Sequence, residues 1–467
     1  MQTTLKNAAE WAKVEFGGAQ LGDKRRSERL VEVGTALARE SYGTLPGSFQ
    51  GNWAETKAAY RLLEEPDVQY QDIIAPHLGR VRADCTWRGE YLMVEDTTEL
   101  DFTSHVAALD LGRIGDDGGR GLFVHSTLAL QVQGWNRQQE PAVTVVGLMG
   151  QRWWARTMPT IGQGREKKRR RLGRDRESQR WAAVVEEVGQ RPAAVRWTLV
   201  TDREGDIYET MARCDAGRWD FVIRANQRRA LADQDGSVFD AVAGSRVLGS
   251  FSLELRARPG QPARRALVAV RACTVTLRGP WRPDGALPPR TVNVVEAREI
   301  HPPAGVEPVH WVLLTRWPVK TFKQALRVVK AYTCRWLVEE YHKSLKTGTG
   351  IEQSQLATAQ RLTSLLGIVA VVAVRHLSLK LLATTCPDEP VDPAEFGPEG
   401  LAVLTKQYGR PVGGWTYRTV LRAAARLGGF LGRTGDGEPG WVTIWRGMRK
   451  LMWLIQGYDL ARGEKCG

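Results

Sequence analysis

Cysteine is sparse in this 467-residue chain. Cys85, Cys214, Cys273, Cys334, Cys386 and Cys466 lie far apart, with no CxxC pair and no cluster with histidine. That pattern argues against a disulfide framework and structural zinc, and for a reducing cytoplasm. Long apolar runs are also missing. The longest, Leu365 to Val374, is well short of the roughly 20 residues that span a bilayer. The opening Met1-Gln2-Thr3-Thr4-Leu5-Lys6 has no apolar signal core, so membrane attachment and export are not expected. Acid is in deficit. Asp plus Glu number 52 against 66 Lys plus Arg, giving a net charge of +14 and a pI near 9.7. An excess of that size is the electrostatic footprint of a protein that meets a polyanion.

The length accommodates roughly two to four domains. Residues 1–82 read as helical. Ser27 to Glu40 carries Leu30, Val31, Leu37 and Ala38 at helical spacing, entered through Lys24, Arg25, Arg26 and Arg29. After Pro46 and Gly47, Asn52 is a candidate cap with Glu55 as its capping-box partner. Helix, basic loop and helix fit a small DNA-docking module, and equally an ordinary basic helical subdomain. Residues 83–385 open with strands, then alternate helix and strand, the order of a mixed α/β sheet like that of ribonuclease H. From about 235 to 316 the pattern is all β and reads as an inserted β-subdomain. A helix is expected from Phe322 to Leu345 and a buried one from about Leu356 to Leu382. A proline-rich acidic linker then leads into a small helical domain over residues 386–467. Arg165 to Arg176 holds eight basic residues among twelve, either a solvated loop or a phosphate-contacting one.

Within this frame three acids stand out. Asp96 follows the apolar run Tyr91-Leu92-Met93-Val94, and Asp202 follows Trp197-Thr198-Leu199-Val200, so each is expected at the exit of a buried strand. Glu339 lies on the helical stretch beginning at Tyr332. Carboxylates are the ligands of hard cations, and a pair of Mg²⁺ ions clamps the attacking and leaving oxygens of phosphoryl transfer. On one regular helix Tyr332, Arg335, Glu339 and Lys346 would fall within roughly a 60° sector, opposite Leu337, Tyr341 and Leu345. Spacing alone favours a simpler reading: a solvated face with an Arg335–Glu339 pair at i, i+4.

The pattern Tyr332-x₂-Arg335-x₃-Glu339-x₆-Lys346 resembles the Y-R-E-K signature of the DDE transposases of bacterial insertion sequences, the IS-four group, and in particular its Tn-five branch. The likeness extends through Trp11-Ala12-Lys13, Leu21-Gly22-Asp23, Glu95-Asp96-Thr97-Thr98, Val124-His125-Ser126, Asp202-Arg203-Glu204 and Gln324-Ala325-Leu326-Arg327-Val328 to Ala425-Arg426-Leu427-Gly428-Gly429-Phe430. It implies a ribonuclease-H-like catalytic core with a β insertion, flanked by an N-terminal DNA-binding domain and a C-terminal dimerisation domain.

By the same resemblance Asp96, Asp202 and Glu339 are the catalytic, metal-binding triad for two Mg²⁺ ions, with Mn²⁺ able to substitute. Tyr332, Arg335, Lys346 and Arg224 contact DNA phosphate, and Trp311 stacks on a flipped base. Lys24, Arg25, Arg26 and Arg29 belong to end recognition. Glu339 is selected over its neighbour Glu340, which is expected to be dispensable. The implied activity is cut-and-paste transposition by a homodimer acting on inverted-repeat ends and target DNA in the bacterial cytoplasm, through a nick, a hairpin, its opening and strand transfer. Leu122-Phe123 replaces a tryptophan pair of that branch, so base handling is expected to differ. A non-cutting repressor and a structure-specific nuclease are the alternatives on the same core. An apolar dimer surface is expected from Gly440 through Ile455.

Overall fold

The computed structural model describes residues 7–39, 44–156, 177–255, 262–283, 285–391 and 393–462. Arg165 to Arg176 lies outside the described residues. The N-terminal region is five helices: α1 (Ala8–Phe16), α2 (Lys24–Arg39), α3 (Leu45–Ser48), α4 (Trp53–Glu64) and α5 (Tyr70–Asp84). Asn7 and Asn52 cap α1 and α4 by accepting from the backbone N–H three residues on. Glu55 does not complete a capping box. Its carboxylate takes the Arg29 guanidinium and so ties α4 to α2. Trp11 and Phe16 from α1 pack with Leu30, Val33 and Leu37 from α2 in one buried cluster.

Twelve described strands follow. They are β1 (Gly89–Asp101), β2 (Gly112–Ile114), β3 (Gly119–Trp135), β4 (Pro141–Trp154), β5 (Val195–Thr201), β6 (Asp220–Arg224), β7 (Val247–Leu255), β8 (Arg264–Leu277), β9 (Trp281–Arg282), β10 (Gly285–Ala286), β11 (Arg290–Ile300) and β12 (His310–Thr315). Ten of them form one sheet in the order β2-β3-β1-β5-β6-β12-β11-β8-β7, with β4 also on β3. β1, β5 and β6 pair in parallel, the rest antiparallel. The β insertion expected from about 235 to 316 is therefore continuous with the core: β12 returns from it and pairs with β6. Helices α6 (Ala183–Val188), α7 (Tyr208–Ala216) and α8 (Val238–Ala243) connect these strands.

Alternation along β1 sends Leu92 and Val94 into one core cluster and Tyr91 and Met93 into another. The first cluster also holds the N-terminal helices, α9 (Phe322–Thr333), α10 (Trp336–Lys343) and α11 (Ala359–Thr385). α11 has 27 residues and, by length and composition, could cross a membrane, longer than the unbroken apolar run suggests. In its most apolar window 78% is buried inside the protein, so it serves as the central core helix. The C-terminal region contains α12 (Pro393–Phe396), α13 (Pro398–Tyr408), α14 (Tyr417–Leu427) and α15 (Trp441–Arg462). Val391, Val403, Leu404, Val420, Ala423 and Leu451 make a third, smaller core there.

Candidate active site

The parallel pairing of β1 with β5 sets the first two acids side by side. Leu92 aligns with Thr198 and Val94 with Val200, so the same step carried on two residues brings Asp96 level with Asp202. Asp202 follows the end of β5, as expected. Asp96 is not at a strand's end: β1 runs on to Asp101 by pairing with β3, where Asp96 faces Ser126. Asp96 thus lies where β1 has outrun its parallel neighbour, which opens the sheet edge beside it.

The third acid arrives on a broken helix. α9 ends at Thr333, and the chain turns through Cys334 and Arg335 before α10 begins. Across the break the hydrogen bonds tighten to i, i+3: Arg335 N–H donates to Tyr332 O at 3.0 Å and Val338 N–H to Arg335 O at 3.1 Å. Beyond α10 the ladder widens into a π turn over Ser344–Gly348. Tyr332, Arg335, Glu339 and Lys346 therefore do not share one regular helix face, correcting the single helix expected from Phe322 to Leu345. They occupy a helix end, a break, a helix and a π turn. Tyr332 is buried edge-on against Trp311, with ring centroids 5.5 Å apart, and Lys346 pairs with Glu352 at 3.3 Å.

Arg335 gathers the acids. Its Nη1 donates to Asp96 Oδ2 at 3.2 Å, and its Nη2 donates to Glu339 Oε1. Burial pushes the Asp96 carboxyl up; Arg335 and the Thr97 N–H oppose this, while Asp202 and Glu339 add repulsion, leaving it at about 6. Burial works against the charge of Arg335, but the Tyr332 phenol, Glu339 and Asp96 overcome it and hold the guanidinium well above its ordinary value. Asp202 and Glu339 thus lie near enough to act on the charge of Asp96.

Their donor chemistry suits a hard divalent cation. Among the described residues no three His, Cys, Asp or Glu side chains are already gathered as a cation cage. The Arg335 guanidinium stands between Asp96 and Glu339.

Three of the four neighbouring acids are engaged elsewhere. Glu95 is buried and accepts from Thr127 Oγ1 at 2.8 Å and from Ala182 N at 3.2 Å. Asp206 is buried and accepts from the N–H groups of Asn226 and Gln227, both at 2.7 Å, and from Arg229. Glu340 pairs with Lys343 at 3.1 Å and Lys380 at 2.6 Å, and accepts from Trp441 Nε1 at 2.8 Å. The Glu340 carboxylate is thus built into the protein, so replacing it with Ala would remove contacts of the fold as well as a charge. Glu204, exposed, donates its backbone N–H to Asp202 Oδ1 at 2.8 Å.

Comparison with protein families completes the picture. Residues 8–68 match a model described as transposase DNA-binding, residues 170–375 a transposase DDE domain, and residues 392–466 a transposase Tn5 dimerisation domain. The chain belongs to the DDE transposases. It is a DNA-binding, homodimer-forming enzyme that cleaves and transfers DNA with divalent metal ions. Its mixed sheet is the ribonuclease-H-like core of that family. The DDE match spans Asp202 and Glu339 but starts after Asp96, so the place of Asp96 in the transposase rests on strand register and the Arg335 contact.

Other expected contacts fall unevenly. In the DNA-binding region Lys24 and Arg25 have side chains 88% exposed, with partners Glu28 and Asp23. Arg26 is instead tied to Glu65 at 2.7 Å, and Arg29 to Glu32 at 2.7 Å and to Glu55, within the module. Arg224 ends β6, half-buried, and donates to His310 O at 3.2 Å. Phe123 stacks on Trp154 of the neighbouring strand at 5.3 Å, with Arg156 over its ring.

Sequence reasoning passed over Gln151. Its Nε2 donates to Ser126 Oγ at 2.9 Å and Tyr341 Oη at 2.8 Å, and its Oε1 accepts from Tyr70 Oη at 2.9 Å. These buried groups join α5, β4, β3 and α10. Next to them His342, lowered to about 3 by burial and so neutral, contacts Ser126 Oγ at 3.2 Å. A lone glutamine on a strand carries no local signal of such a role.

Proposed function

We propose that this transposase performs cut-and-paste transposition with Asp96, Asp202 and Glu339 as its catalytic triad. The reading rests on one observation: the level register of Asp96 and Asp202 on parallel strands, with Arg335 linking Asp96 to Glu339. Two Mg²⁺ ions held by these carboxylates would supply positive charge to the attacking and leaving oxygens. An incoming DNA phosphate offers Arg335 a bidentate partner and releases it from the carboxylates. Lys346 and Arg224 flank the same path as further phosphate contacts. Each step is an in-line displacement at phosphorus, so one set of residues serves the nick, the hairpin, its opening and strand transfer.

The hairpin assignment rests on Trp311. It lies half-buried on β12 against Tyr332, beside the break that carries Arg335. A tight DNA turn unstacks a base, and an aromatic face holds one at about 1–3 kcal/mol. The substrates are inverted-repeat ends and target DNA. The domain division is 1–82 for end binding, 83–385 for catalysis and 386–467 for dimerisation. The working compartment is the cytoplasm, at the nucleoid.

A time course on end DNA resolving nick, hairpin, double-strand break and joined product tests this. Asp96→Ala, Asp202→Ala and Glu339→Ala should each abolish the nick in Mg²⁺ and in Mn²⁺ while end binding persists. Trp311→Ala should slow the hairpin steps more than the nick. A triad variant that cuts at the wild-type rate removes that residue from the site. Cleavage without joining assigns a nuclease, and binding without any cleavage a repressor.

A further inference from the structure

The helix that carries Glu339 is gripped from behind by the dimerisation domain. Glu339 and Glu340 are adjacent on α10 and so point about 100° apart. Glu339 turns to Arg335, while Glu340 turns away into a buried crevice. There its Oε2 accepts from Trp441 Nε1 at 2.8 Å and from Lys380 Nζ at 2.6 Å, and its Oε1 accepts from Lys343 Nζ at 3.1 Å.

Trp441 is the first residue of α15, inside the stretch matched by the dimerisation model. Lys380 stands over its ring at 4.2 Å, and the ring stacks on Trp445 at 5.3 Å with planes 10° apart. Trp445 fills the next space. It lies 4.1 Å from His376 of α11, and a Cβ added to Gly348 in the π turn would come within 2.6 Å of its ring. Both tryptophans belong to the main core cluster, whereas Leu451, further along the same helix, belongs to the C-terminal core. α15 therefore spans two cores, and its first turns lean on the catalytic helix and the π turn after it.

We infer that Glu340 and Trp441 form a latch through which the dimerisation domain sets the orientation of the catalytic helix, making both of them positioning residues for Glu339. This rests on the proposed triad for its consequence, but the latch itself is a contact within the fold. A buried charge-assisted hydrogen bond is directional, so it holds the rotation of α10 as well as its distance from α15. When α15 is drawn into a dimer contact, the same bond carries the shift to Glu339.

Trp441→Phe keeps the stacked ring and removes only the indole N–H. Backbone hydrogen exchange across residues 336–343 should accelerate about fivefold or more, with α1 to α5 unchanged. Nicking should fall about tenfold, with end-DNA affinity and dimer mass unchanged. Glu340→Ala removes the carboxylate that accepts from Trp441, together with both lysine pairs. Placed in the Trp441→Phe background it should cost less than it does alone, because the two residues act through one bond. Unchanged exchange in α10, exchange raised only within residues 393–462, or strictly additive effects of the two changes would each overturn the latch. If the wild-type protein does not nick at all, the proposed function fails, and the exchange measurement still decides the latch.

Discussion

At the scale of single residues, the chemistry turns on how charge is balanced around Asp96. Its carboxyl is pushed up to about 6, mainly by burial. In the metal-free protein the folded state therefore holds a proton that the unfolded chain releases near its ordinary value. Stability from this group is full at low pH and declines as pH rises through about 6. A divalent ion needs the ionised form, so it competes with that proton. The rise in Tm on adding Mn²⁺ should be small near about pH 5 and grow as pH passes through about 6, and Asp96→Asn should flatten the dependence; thermal unfolding across pH with and without Mn²⁺ measures both.

Gln151 is the other decisive residue. Gln151→Leu would strip one hydrogen bond from each of the buried hydroxyls of Tyr70, Tyr341 and Ser126. A loss of about 2–4 kcal/mol in unfolding free energy is expected by denaturant titration.

At the scale of elements, the helix break and the basic N-terminal helix carry the function. At the i, i+3 tightening around Cys334 and Arg335, the guanidinium reaches Asp96 and Glu339 together. On α2 the four basic residues divide into two pairs. Lys24 and Arg25 are exposed and available to phosphate, whereas Arg26 and Arg29 bind α4 and the segment after it. Lys24→Ala with Arg25→Ala should weaken end binding and lower the salt slope by about 2, with the module's stability unchanged. Arg29→Ala should instead destabilise residues 7–68, visible as a lower Tm. Binding measured across a salt series, alongside melting curves, separates the two roles.

At the scale of the whole molecule, one core cluster runs from the DNA-binding helices through the sheet to α11, α10 and the first turns of α15. Binding DNA, using metal ions and pairing with a second copy are thus three uses of one continuous packed body. The apolar stretch from Gly440 to Ile455 does not all face a partner. Trp441, Ile444, Trp445 and Leu451 are buried within the chain, while Val442, Trp453, Leu454 and Leu460 are exposed, with Trp453 at 59%. The exposed set is the candidate surface for the dimer contact. Trp453→Ser with Leu454→Ser should abolish the two-ended protein–DNA complex while sparing binding of a single end, as native mass measurement of the complexes would report.

What the sequence by itself determined was everything carried by local pattern and by residue type. Apolar runs announced β1 and β5, cap residues announced helix starts, hard oxygen donors in family order announced a metal-dependent phosphoryl chemistry, and a surplus of 14 positive charges announced the polyanion. Only the tertiary structure decided how each of several adjacent acids is partnered. Glu95, Asp206 and Glu340 differ from Asp96, Asp202 and Glu339 by their partners, and those partners come from as far away as Ala182, Arg229 and Trp441. The break at Cys334 and the π turn at Ser344–Gly348 were likewise hidden, because helical periodicity averages over a single tightened or widened turn. Local sequence sets what each segment can do, and long-range packing settles which partner each carboxylate meets.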